Sequence, residues 1–246
     1  VKNLNVVGAQ VDAITSSGAA VIAGSIFGSG DITDCSVSDA VVKGNHYVGG
    51  IAGYVYGNIT NCFVTSSELT AIPDDTSGSY DNGDKVGGIA GYAPLDSDNY
   101  ISGNTVSDVS IKGYRNLGGI VGTGSTLIKN NTVSDISITH DRSVISEAPS
   151  SGNESGIIVG NRSTQPYNPD NKNNEVLGTI MVDDPEVLSS LSWVGVKGLV
   201  SEVVLGAGEY KIPAAFKEKT LTITSSGKDT IIKVVPGGQG EAGGQL

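Results

Sequence analysis

Residues 48–54 read VGGIAGY, and residues 86–92 repeat them letter for letter 38 positions later. A catalytic loop is needed once, whereas a structural unit is needed many times. An internal repeat therefore constrains this fold more than any other feature of the chain. Degraded copies of the phrase read AAVIAGS, LGGIVGT and SGIIVGN. Its isoleucine falls at Ile22, Ile51, Ile89, Ile120 and Ile158, at spacings of 29, 38, 31 and 38 residues. A second phrase alternates with the first and is centred on Val6, Val37, Val64, Val106, Val133 and Val176. Five residues after each valine stands another apolar residue: Val11, Val42, Leu69, Ile111, Ile138 and Met181. That offset is constant while the loops between phrases vary, as expected of a fixed cross-section with variable corners.

Each unit of about 27–43 residues holds three apolar segments of only three to five residues. None can bury its face alone, but stacked in register they build a continuous core. The palette agrees: Val, Ile, Ser, Thr and Asn dominate, and 35 of 246 residues are Gly, double the usual share of about 7%. A helical solenoid needs two amphipathic stretches of ten or more residues per unit, and there are none. The expected fold is all-β, a right-handed parallel β-helix (solenoid) with short strands and variable corner loops. The isoleucines and Val37, Val64, Val106, Val133 and Val176 are its expected core ladder.

Within the second phrase, the residue two after the valine is Gly8, Asp39, Ser66, Asp108, Asp135 or Gly178. Gly and Asp tolerate a left-handed backbone, so this position reads as a corner. Two residues before the valine stand Leu4, Cys35, Cys62, Asn104, Asn131 and Asn174. Like residues should then stack on like, Cys on Cys and Asn on Asn, with amides hydrogen-bonded up the ladder. On neighbouring coils Cys35 and Cys62 would lie about 4.8 Å apart, as a buried thiol pair or, in an oxidising compartment, a disulfide.

Net charge is −11 with a pI near 4.5. Nucleic acid and anionic membranes need a basic patch and are not expected partners. No apolar run approaches the roughly 20 residues that span a bilayer; the best, Gly18–Gly28, is short and rich in small residues. Position 1 is Val and nothing there resembles a signal peptide, so the chain reads as an excerpt or a mature form.

After residue 183 the rhythm changes. DPEVLSSLSWV suggests a short capping helix at 184–192, with Asp184 as N-cap and Pro185 at the first helical position. Strand-like segments and a Gly-rich tail follow to residue 246. Two domains are expected, residues 1–183 with about six coils and residues 184–246.

The phrases VGGIAG and LGGIVG, followed by ITNCFV, resemble the GLUG motif of bacterial surface proteins. The resemblance covers residues 1–183 and loses the Gly pair at 19–37 and 155–176. It implies a secreted or cell-surface, adhesin-like bacterial protein. VVLGAGEYKI, KTLTITS and TIIKV look like the opening coil of pectin-lyase-like β-helices, a family that includes pectinases and non-enzymatic surface proteins.

Tyr54 and Tyr92 occupy equivalent slots, with Tyr47 and Tyr56 nearby. They form either an aromatic platform for sugar rings or a surface ladder covering the Gly-rich strands. Asp39, Asp108 and Asp135 could act as paired carboxylates, though Gly in the same slot favours the corner reading. Acidic loops (Asp74, Asp75, Asp81, Asp84; Asp96, Asp98) offer oxygen ligands for calcium, but without EF-hand or nonapeptide spacing they read as solvated loops. No other cofactor is expected. No Ser-His-Asp or Cys-His arrangement, phosphate loop or HExxH is evident in the sequence, and Arg115, Arg142 and Arg162 fall in no equivalent slots. The expected function is a non-enzymatic extracellular module that presents loops and a ladder face to a glycan or a host or bacterial surface protein. The alternative is a fragment of a polysaccharide lyase or glycoside hydrolase.

Overall fold

The computed structural model of the chain describes residues 1–72, 83–94, 99–141, 155–161, 173–183, 187, 196–197, 200–206, 208–212, 222–225 and 230–234. These residues form an all-β structure in which every strand pairing is parallel. Parallel pairing requires the chain to travel back before it meets its partner, and here the return is one repeat long. The six pivotal valines meet in unbroken register: Val6 opposite Val37, then Val64, Val106, Val133 and Val176.

The largest sheet carries these valines and includes Phe63–Ala71, Thr105–Gly113, Thr132–His140 and Asn174–Val182. The glycine-rich phrase supplies two more sheets. Before its Gly pair, strands Ala19–Ala20, His46–Gly49, Asp84–Gly87 and Arg115–Gly118 pair in that order. After the pair, Ala23–Thr33, Ala52–Thr60, Ala90–Ala93, Val121–Gly124 and Val159–Asn161 do the same.

Alternation along each strand decides what fills the interior. In Thr105–Gly113, Val106, Val109 and Ile111 are buried and Ser107, Asp108 and Lys112 are not. Val37, Val64, Val106, Val133 and Val176 are all at most 1% exposed, as are Ile51, Ile89, Ile120 and Ile158. Each such side chain contributes roughly 1.5–3 kcal/mol of burial. Ile22 departs from this: it is only half-buried, like Val6 and Val11. All three belong to the first rung, where the sheet order ends and a neighbour lies on one side only.

The offset of five residues holds in five copies and fails in the sixth. Ile138 lies opposite Val182, not Met181, because the register shifts between Ser134 and Ile136. Gly178 and Thr179 together face the single residue Asp135, a β-bulge. Met181 is turned outward, 40% exposed, and Val182 is buried in its place.

The corner positions behave as their residue types suggest. Gly8, Asp39, Ser66, Asp108, Asp135 and Gly178 all have φ between 47° and 69°. Directly before the inward Cys and Asn column runs a second left-handed set: Asn3, Asp34, Asn61, Gly103, Asn130 and Asn173. A left-handed conformation costs an ordinary residue about 1–2 kcal/mol, and the short polar side chains lower that cost by local hydrogen bonding.

Asn104, Asn131 and Asn174 are fully buried and stacked. The Asn104 amide nitrogen donates to the Asn131 side-chain oxygen at 3.0 Å, and the Asn131 nitrogen to that of Asn174 at 3.1 Å. Each nitrogen also donates to a backbone carbonyl of the preceding repeat, Ile59, Ile101 or Ile128. The Asn oxygens accept in addition from the backbone N–H of Cys62, Asn104 and Asn131. Cys35 and Cys62 continue the column as free, buried thiols. Burial pushes the Cys62 thiol up to about 11.

Strand Val200–Leu205 pairs with Asn174–Val182, so the valine sheet runs on past residue 183. Thr222–Ser225 extends it, and Gly208–Ile212 pairs with Thr230–Val234. The expected capping helix at 184–192 lies outside the described residues, except for Val187, which is fully buried in the core. Among the described residues no helix is long and apolar enough to cross a membrane.

Candidate ligand-binding face

The Gly-rich phrase folds into a narrow V whose two arms lie back to back. The tightness explains its last glycine. A Cβ on Gly91 would stand 2.5 Å from the Tyr47 Cα and the Val48 nitrogen. One on Gly53 would stand 2.6 Å from the carbonyl oxygens of Tyr47 and Gly24. Neither glycine has a positive φ, so close approach and not backbone conformation requires it.

This V brings residues from both arms onto one outer face. The residue after the last glycine is Ser25, Tyr54, Tyr92, Thr123 or Asn161, in register up the sheet. On the other arm the residue before the phrase is Tyr47, Lys85 or Asn116, each with a left-handed backbone. Tyr47 therefore stands beside Tyr54 and Tyr92, with ring centroids 5.5 and 5.4 Å away. Tyr54 and Tyr92 meet edge to face at 5.2 Å. Alternation within Ala52–Thr60 buries Val55 and turns Tyr56 outward, 5.2 Å from Tyr54.

The four tyrosines are half-buried, so each ring is partly open to solvent. Phe27 joins them, 5.9 Å from Tyr54 and 6.5 Å from Tyr56 and 72% exposed. Sequence reasoning missed it because it lies in a register shift of Ala23–Thr33, between Ile26 and Gly30, where period-two alternation breaks down. Burial, the Tyr56 hydrogen bond and the neighbouring phenols all push the Tyr54 hydroxyl up. It stays a neutral donor throughout the physiological range.

Beside the rings lies an ionic column. His46, Asp84 and Arg115 are opposite one another on three successive strands. Asp84 was expected in a solvated acidic loop. Instead it opens a strand, fully buried, 2.5 Å from the Lys85 ammonium and 3.6 Å from the Arg115 Nε. The signal was present: aligning HYVGG, DKVGG and RNLGG places the three residues in one column. The other acidic loop residues, Asp74, Asp75, Asp81, Asp96 and Asp98, lie outside the described residues, as do Arg142 and Arg162. No group of three or more His, Cys, Asp or Glu suited to a metal occurs among the described residues.

Asp39, Asp108 and Asp135 face solvent at their corners. Asp108 accepts from the Ser66 hydroxyl at 3.0 Å and Asp135 from the Thr179 N–H at 2.8 Å. These bonds brace the left-handed corners.

A Ser-His-Asp contact set that spacing did not show does occur. The His140 Nδ1 lies 2.6 Å from Asp183, and its Nε2 lies 2.9 Å from the Ser155 hydroxyl. Exposure runs the wrong way for a nucleophile: Ser155 is 1% exposed, whereas the Asp183 side chain is 33% exposed. The Ser155 oxygen also accepts the Leu117 N–H at 3.1 Å, and Asp183 accepts the His140 N–H at 2.7 Å. The set ties three coils together.

A family model described as the GLUG motif matches residues 44–70. That stretch runs from His46–Gly49 through Ala52–Thr60 into Phe63–Ala71, so it takes in one V and one valine strand, including Tyr47, Tyr54 and Tyr56. No curated protein and no solved structure matches the chain.

Proposed function

We propose that this chain is a non-enzymatic, extracellular binding module of a bacterial surface protein, built as a right-handed parallel β-helix of GLUG-type coils. Its ligand is a glycan held against the tyrosine face. The observation that carries this reading is the contiguous set of five rings, Phe27, Tyr47, Tyr54, Tyr56 and Tyr92, on the outer side of the V. Sugar rings offer apolar C–H faces and hydroxyl edges. Aromatic faces with a polar tip satisfy both. Lys85 borders the rings with a further polar group, its ammonium 5.3 Å from the Tyr47 ring centroid. The cell-surface location and the continuation of residues 184–246 as a pectin-lyase-like coil rest on the sequence resemblance.

The test is a glycan array probed with the purified chain and with Tyr54→Ala. Binding to a defined set of saccharides that the variant loses supports the reading. Retained binding in the variant, or no glycan bound while a surface protein is captured through the same rings, overturns it.

A further inference from the structure

We propose that Lys85 and Asn116 are the partners of an intramolecular amide cross-link, with Asp84 as its proton carrier. The site belongs to the ionic column and does not depend on glycan binding. Asp84↔Arg115 and Val86↔Leu117 are paired, so Lys85 and Asn116 lie directly opposite on neighbouring strands. The Lys85 amine and the leaving nitrogen of Asn116 converge on one atom. The Lys85 Nζ lies 2.5 Å from Asp84 Oδ2, and the Asn116 Nδ2 lies 3.5 Å from the same oxygen. The amine and the carboxamide nitrogen are thus at most 6.0 Å apart.

Each group that such a reaction needs is present. Lys85 is the nucleophile, its side chain 13% exposed and its Nζ 5.3 Å from the Tyr47 ring centroid. The Asn116 carboxamide is the electrophile, in a residue 4% exposed. Its oxygen accepts a hydrogen bond from the Asn161 Nδ2 at 3.0 Å, on the side where negative charge develops during attack. Its nitrogen, the leaving group, is the end nearest Asp84. Arg115 holds the carboxylate from a third direction, 3.6 Å away. Left-handed φ values of 60° at Lys85 and 57° at Asn116 fix both residues in a conformation that ordinary side chains rarely adopt. Held on one carboxylate oxygen, the pair needs only a side-chain rotation to bring Nζ onto the Asn116 Cγ, with the advantage of an intramolecular encounter.

The step balances without an outside reagent. Asp84 takes a proton from the Lys85 ammonium. The free amine attacks the Asn116 Cγ, the Nζ–Cγ bond forms and the Cγ–Nδ2 bond breaks. Asp84 returns its proton to the departing nitrogen, which takes up the second proton of the attacking amine and leaves as ammonium. One lysine ammonium and one carboxamide become one secondary amide and one ammonium ion. The product joins two successive coils covalently and closes a loop from residue 85 to residue 116.

Intact-mass spectrometry of the purified, denatured chain tests this. The expected result is a single species lighter than the sequence mass by one ammonia. Trypsin should leave residue 85 uncut and release one branched peptide carrying Lys85 and Asn116. Lys85→Arg and Asp84→Asn, checked for folding by circular dichroism, should keep the full sequence mass. A wild-type chain at full mass overturns the proposal. So does an ammonia loss that persists in Lys85→Arg, because that is cyclisation of an asparagine and not a cross-link. Should a variant fail to fold, the wild-type mass and the branched peptide decide the matter alone.

Discussion

The asparagine column and the tyrosine column use one device, like side chains stacked at matching positions of successive repeats, one column buried and the other facing outward. Inside, Asn104, Asn131 and Asn174 have no exposed surface, and their amides are hydrogen-bonded from coil to coil. Outside, Tyr54 and Tyr92 are followed in the same column by Thr123 and Asn161. Where it is buried, the inner column holds only Cys35 and Cys62 and then Asn; Leu4, at its open end, is 41% exposed. The outer one changes residue type within four coils. The inner positions are enclosed and must pair their amides or thiols, whereas on the outer column Tyr54 and Tyr92 are half-open and only Thr123 is buried. Structure should reside in the first column and ligand specificity in the second.

The sharpest way to break this comparison is Asn131→Ala. It removes the partner of the Asn104 backbone N–H, one of the two acceptors of the Asn104 side-chain nitrogen and the side-chain donor to the Ile101 carbonyl, each a loss of roughly 1–3 kcal/mol when buried. Chemical denaturation should show a destabilisation of about 4 kcal/mol. A cost under about 1 kcal/mol would mean the ladder is ornamental.

Gly91→Ala comes next. Its new Cβ would press on the Tyr47 backbone, and overpacking of this kind costs about 1–3 kcal/mol. Because the clash lies under the aromatic face, glycan binding should weaken in the same variant. Wild-type stability and affinity together would show that the V is looser than described.

Tyr54→Ala should separate the two columns. Its rings are half-open, so unfolding should shift by about 1 kcal/mol, while glycan affinity falls at least tenfold, or about 1.4 kcal/mol. A large stability loss with unchanged affinity would place this column with the asparagines.

The thiols test the boundary from the inside. A thiol whose folded pKa is raised stabilises the fold below its ordinary value, and that contribution disappears as pH rises toward about 11. Stability should therefore decline through this alkaline window, and less so in Cys62→Ala. Native Cys62 should also resist alkylation near neutral pH until denaturant is added. Fast native labelling would contradict its burial.

The smallest effect is expected at Asp39→Gly, within about 0.5 kcal/mol of wild type. Gly8 and Gly178 already serve at that corner with the same sign of φ. Asp39→Val should cost about 1–2 kcal/mol, since a branched side chain has no local hydrogen bond to offset the left-handed backbone.

Much of this was readable in advance because stacking converts alignment into contact. The valine register, the left-handed corner and the amide ladder all followed from counting residues between Val6 and Val176. Counting failed in two ways. Where the chain inserts a residue, as at Gly178, the offset misassigned Met181 to the interior. Where chemistry is assembled across coils, as with Ser155, His140 and Asp183, no local spacing announces it. The tyrosines were found because both lie within an identical phrase. Phe27 was not, since a bulge carries it out of phase. Asp84 was misread as loop because acidic residues just before it bias the eye, although the column of His46, Asp84 and Arg115 was available from the same alignment.

The bulge at Gly178 has a meaning beyond one misplaced methionine. In a stack whose every rung is templated by the last, a single extra residue would be copied into all later rungs and turn their cores outward. Here two residues opposite Asp135 absorb the excess within one corner, the following strand shifts register again at that corner, between Gly178 and Thr179, and Val182 still pairs with the buried Leu205. The corner acts as an error-correcting joint. It gathers changes of length at the corner of successive strands, so the buried positions on either side keep their phase.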